Sequence, residues 1–180
     1  YSWGLVLCIL SWTACSPPVP PIPLSGGLLI SEPTTFEPGV YVLAGNDSLD
    51  QPVIIIEGNN LELDFSEVQL IGNEDRTRPN TYKGVGILVR NSQNVILKNL
   101  QIRGYKVALM AENVDSLQIL NSDFSFNYRP QLYSLRDREN LVDWLSYHDN
   151  EEDEWLRYGA GIYLKDCEGF RIDHCVITQN

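Results

Sequence analysis

The sequence predicts an all-β fold in which short strands wind into coils of about 22 residues that stack on one core. Three observations lead there. Similar segments recur without internal gaps, apolar and polar residues alternate inside them, and the bends between them are rich in Asn, Asp, Ser and Gly.

The repeat is clearest from Gly86, where GILVRNSQNVILKNLQI returns after a shift of 22 as ALMAENVDSLQILNSDF from Ala108. A shift of 75 gives GIYLKDCEGFRIDHCVI from Gly161, and a backward shift of 34 brings Val53 under Ile87. The columns are then Val53, Ile87, Leu109 and Ile162; Ile55, Val89, Ala111 and Leu164; Leu61, Val95, Leu117 and Phe170; Leu63, Leu97, Ile119 and Ile172; and Val68, Ile102, Phe124 and Ile177. No single coil can bury its own apolar face, so each column residue is expected to stack on its equivalent at roughly the 4.8 Å spacing of paired strands. Two columns are polar: Asn91, Asn113 and Asp166, and Asn99, Asn121 and His174 with Phe65 in the first coil. Stacked amides can bond from coil to coil, so these columns read as structural ladders. Cys175 shares a column with Ser66, Leu100 and Ser122 and reads as a small buried side chain; Cys167 lies in the same coil.

Over residues 50–180 this pattern resembles the right-handed parallel β-helix (pectin-lyase-like) superfamily. The resemblance implies a right-handed winding and a polysaccharide as ligand or substrate. It specifies the fold far better than the reaction, because many activities share the architecture.

Two spacings exceed the period, by 12 and by 31 residues, and both excesses fall at the same bend. They mark insertions at about 73–84 and 129–159, rooted roughly 10 Å apart on one side of the stack. In the second, Ser134-x-x-Asp137 has the form of a capping box, and the loosely helical spacing of Leu135, Leu141, Val142 and Leu145 predicts a helix near 134–147. The first insertion carries Arg76, Arg78 and Lys83. The second holds the acidic run Asp149, Glu151, Glu152, Asp153 and Glu154 beside Trp144, Tyr147, His148, Trp155 and Tyr158. Three readings of that cluster stand open. It is a solvated loop fastened by its aromatics; or a sugar site, with Trp144, Tyr147, Trp155 and Tyr158 under pyranose rings; or a calcium site built on Asp149, Glu151 and Asp153.

The chain starts at Tyr1 rather than Met and reaches Asn180 inside a repeat, so further residues are expected on both sides. Residues 1–15 resemble a lipoprotein signal, with the apolar stretch from Trp3 to Ala14 leading to an acylatable Cys15. Ordinary cleavage after Cys15 and a buried strand or helix are the competing readings. Residues 16–27 form a Pro/Gly-rich tether, and 28–180 form the coils. No apolar run reaches the roughly eighteen residues that span a bilayer. The expected location is therefore outside the cytoplasm: an outer-membrane or cell-surface lipoprotein held by its lipid, or a periplasmic or secreted protein.

A net charge of −11 argues against nucleic acid as a partner. Phosphate loops, dinucleotide fingerprints, nucleophile elbows and zinc spacings are missing from the sequence. Catalytic residues are therefore unassigned. The function expected is an exported protein that binds or processes polysaccharide, as a lyase, epimerase or hydrolase would. The alternatives are a non-catalytic binding or structural protein, and a periplasmic accessory protein for copper-enzyme maturation.

Overall fold

The computed structural model describes residues 20–143 and 159–180. Ten strands are found among them: β1 Leu28–Ile30, β2 Gly39–Val42, β3 Ile54–Ile56, β4 Leu61–Asp64, β5 Val68–Ile71, β6 Lys83–Lys98, β7 Ile102–Arg103, β8 Tyr105–Leu120, β9 Ala160–Glu168 and β10 Arg171–Asp173. All the pairing between them is parallel. The order β1-β3-β6-β8-β9 runs up one face of the stack, and β2-β5-β7 runs up another. On the remaining face β4 pairs with the second half of β6, and β10 with the second half of β8. The two sixteen-residue strands thus turn a corner without interruption, at Asn91 and Asn113. The architecture is a parallel β-helix.

The interior is a set of apolar columns. Ile87 lies beside Leu109 and Leu109 beside Ile162; Leu63, Leu97, Ile119 and Ile172 continue one line through four coils. Their equivalents in the middle coils are fully buried. Val and Ile fit this surface because their branched side chains pack well on a pleated sheet. Removing such area from water contributes about 25 cal/mol per Å², and stacking is what removes it here.

The first coil departs from the columns expected from sequence. Ile87 pairs with Ile54 rather than Val53, Val89 with Ile56 rather than Ile55, and Ile102 with Leu70 rather than Val68. The spacing between coils is therefore 33 on one face, 34 on the next and 32 on the third, because the bends between the faces differ in length. Phe65 likewise leaves the polar column. It is buried and stacks on Phe36, with centroids 4.4 Å apart and planes 16° from parallel. Asn99 reaches past it to donate to Asp64 and Ser66. A further coil precedes the repeat read from sequence, with β1 and β2 stacked against β3 and β5. Ile22 bridges to Phe36 and Leu24 is buried in the same core, although both fall in the stretch assigned to the tether.

The bends explain the polar columns. Asn91, Asn113 and Asp166 all take positive φ, as do Asn99, Asn121 and His174, and so do Asn60, Asn94, Ser116 and Gly169. Asn is enriched there because it visits the left-handed region more readily than most residues with a Cβ. Two rungs bond along the axis: Asn113 Nδ2 donates to Asn91 Oδ1 at 3.1 Å, and Asn94 Nδ2 to Asn60 Oδ1 at 3.0 Å.

The helix expected near 134–147 does not form in the described part of the insertion. Leu135 and Arg138 exchange backbone hydrogen bonds across a tight turn, and only Leu141–Asp143 winds into a short 3₁₀ turn. Ser134 does not cap a helix. Its Oγ accepts from the Asn140 amide at 2.8 Å, while the Asp143 carboxylate accepts from the amides of Tyr133 and Ser134. Ser and Asp here satisfy loop amides, the competing use of the same side chains.

Candidate functional site

Both insertions leave the stack at one bend, and each is fixed from within. In the first, Asn73 Oδ1 accepts from the Asp75 amide. Asp75 in turn accepts from the Thr77 amide and hydroxyl and from Arg78 Nε. The Thr77 hydroxyl, followed by Arg78, holds the Asp75 carboxyl down at about 2. Pro79 opens a 3₁₀ turn at Pro79–Thr81, as its fixed φ allows. Tyr82, buried, plugs the loop onto the coils, and its hydroxyl donates to the Asp75 carbonyl at 2.9 Å.

The second insertion is rooted on Asn127, which is fully buried. Its side chain donates to the carbonyls of Phe124 and Ile102 and accepts from the Tyr105 amide. Buried polar groups need such partners, and Asn127 makes the start of this loop rigid. Arg129 Nη1 then donates to Gln179 Oε1 at 3.0 Å.

The two insertions touch. Asn80 Nδ2 donates to Gln131 Oε1 at 3.4 Å, a long bond that joins the first insertion to the start of the second. Beneath it lies an open groove of about 720 Å³, walled by residues 77–80 of the first insertion and 129–132 of the second, with Asn180 at its side. A recess of about 120 Å³ adjoins it, sharing Pro79 and Arg129 and lined also by Arg76, Tyr82, Phe126 and Asn127. The Arg76 guanidinium sits 4.6 Å from the centre of the Phe126 ring, a cation–π contact. Arg103, on β7 beside this recess, is held below its usual range by burial and then by the charge of Arg76.

The three cations noted in the first insertion thus part company. Lys83 turns to Asp47 and Arg78 to Asp75, while Arg76 goes to the recess. Trp144, Tyr147, Trp155 and Tyr158, and the acidic Asp149, Glu151 and Asp153, lie outside the described residues, as does Cys15. Among the described residues, no three His, Cys, Asp or Glu side chains are grouped to hold a metal ion. Arg103 and Arg129 were not singled out from sequence, since neither belongs to a charge run; stacking brings Arg129 into the recess that Arg76 lines and Arg103 within range of the charge of Arg76.

The family profile described as the right-handed β-helix region matches residues 85–180, slightly more than half of the chain. The chain belongs to the right-handed β-helix family. No curated protein and no solved structure matched it. Within this β-helix the matched span begins at Val85, so the second insertion lies inside it and the first, with Arg76 and Arg78, lies before it.

Proposed function

We propose that this β-helix is an exported, lipid-anchored protein that binds an extended polysaccharide along the flank where its two insertions meet. The observation that carries the reading is the open groove of about 720 Å³ shared by both insertions. It lies against the coil surface, where a linear polymer can run on past its ends. Its lining mixes the faces of Pro79, Pro130 and Leu132 with hydrogen-bonding groups of Thr77, Asn80 and Gln131, the combination that sugar rings and their hydroxyls require. Tyr133 stands exposed next to it and offers a ring for stacking. Trp144, Tyr147, Trp155 and Tyr158 belong to the same insertion in sequence and are side chains of the kind on which sugar rings stack.

The test is calorimetry of the full chain against neutral and acidic polysaccharides, beside a Gln131→Trp variant that fills the groove and a Trp144→Ala/Trp155→Ala double variant. Binding lost in Gln131→Trp supports the groove as the site. Unchanged binding in that variant places the polymer elsewhere and overturns the assignment. The double variant reports separately whether the distal aromatics take part.

A further inference from the structure

In a chain of net charge −11, three arginines gather at the junction of the two insertions. Arg76 and Arg129 line one recess, and Arg103 beside it feels the charge of Arg76. Elsewhere on the coils, Lys83, Arg90 and Lys98 each meet a carboxylate within 2.7 Å. At the junction, by contrast, none of the three arginines has a carboxylate within salt-bridge distance among the described residues. Their contacts are neutral: a ring for Arg76 and an amide oxygen for Arg129. The contact of Arg76 with the Phe126 ring uses no carboxylate or carbonyl acceptor, and a single bond to Gln179 leaves Arg129 most of its donors. Holding like charges together is unfavourable, and the carboxylates of Glu74 and Asp123 act on Arg103 without forming a salt bridge, so an anion seated between Arg76 and Arg129 would relieve it.

Local backbone geometry is spent on this arrangement. Phe126, under Arg76, and Gln179, under Arg129, both hold positive φ, where the equivalent bend of the preceding coil has Gly104. Such conformations persist in bulky residues only where the surroundings enforce them.

We propose that the recess is an anion subsite that takes a carboxylate or sulfate carried by the glycan in the adjoining groove. Arg76 and Arg129 are its donors and Arg103 supplies charge from behind. The subsite deepens the reading of the groove as a polysaccharide site and rests on it for the polymer. A recess of about 120 Å³ fits a small oxyanion but not a sugar ring, and the larger groove beside it takes the ring.

The experiment is calorimetry with polygalacturonate, dextran sulfate and neutral dextran, in EDTA and over a range of NaCl concentrations. Wild type is compared with Arg76→Gln/Arg129→Gln and with Arg136→Gln/Arg138→Gln, which removes the same charge from the second insertion away from the recess. The expected result is binding of an anionic polymer that weakens with salt and falls about tenfold or more in the first variant, but under about twofold in the second. Arg76→Lys/Arg129→Lys should bind with intermediate affinity, since it keeps charge but loses the fork. Equal loss in both Gln variants would mean diffuse attraction and overturn the subsite, as would no loss in the first. Dextran bound as tightly as the anionic polymers would overturn the subsite and leave the groove standing. Failure to bind any polymer would remove both.

Discussion

The Arg76 guanidinium lies over the ring of Phe126 and fastens the first insertion to the bend from which the second departs. Phe126 is exposed and holds a φ of +63°, a conformation that costs a non-glycine residue roughly 1–2 kcal/mol.

Ile119 sits at the centre of a four-coil column, fully buried between Leu97 and Ile172. Ile119→Asp should destabilise the chain by on the order of 4 kcal/mol, since no cation can reach the carboxylate. Ile119→Val should cost only about 1 kcal/mol. Denaturant unfolding checks both, and similar midpoints for the two variants would mean that this column is not the core.

Asn113 combines a φ of +54° with a hydrogen bond to Asn91. Asn113→Ala keeps the Cβ in an unfavourable region and loses the bond, so a loss of about 1 kcal/mol is expected. Asn113→Gly relieves the backbone and should stay within about 0.5 kcal/mol of wild type. If Ala is tolerated as well as Gly, the bend is not held by its left-handed residue.

Asp75 is held at about 2, against an ordinary 3.8, mainly by the Thr77 hydroxyl and then by Arg78. A depressed carboxyl stabilises the folded loop above its unfolded value, and that contribution disappears as pH falls from about 4 to about 2. NMR titration should show the Asp75 carboxyl still ionised at pH 3. The amides of Thr77 and Arg78 should shift in the same window and stop doing so in Asp75→Asn.

Cys15 is expected to be the acylated residue of the exported chain. Radiolabelled palmitate should enter the protein in a bacterial host and be lost in Cys15→Ser. Release of unlabelled wild-type protein into the medium would instead mean simple secretion.

The middle coils were legible because Leu97 and Ile119 recur at the 22-residue period with polar neighbours, and Ile172 follows after one longer shift of 53 that needs no internal gap. The coil of β1 and β2 was hidden because its spacing to the next differs from 22 on each face, 26 at Leu28 and 29 at Gly39, so no single shift reveals it. Helical spacing of Leu135, Leu141 and Val142 misled for a local reason. Ser134 and Asp143 have loop amides within reach, and short polar side chains that satisfy those compete with a helix. Charge in the first insertion was visible as Arg76, Arg78 and Lys83, but not which of them would remain unpaired. That depends on Asp47 and Asp75 arriving from separate bends.

The unequal steps of 33, 34 and 32 between successive faces of the first coils have a consequence for how such a chain changes over time. In an α-helix one added residue rotates everything after it by about 100°. Here a surplus residue is absorbed where it arises, because the next parallel ladder re-establishes alignment with the coil below. Length errors are local rather than cumulative, so bends can be lengthened one at a time while the interior stays in step. A pair of neighbouring extensions on one side is then the simplest way for this architecture to acquire a new surface.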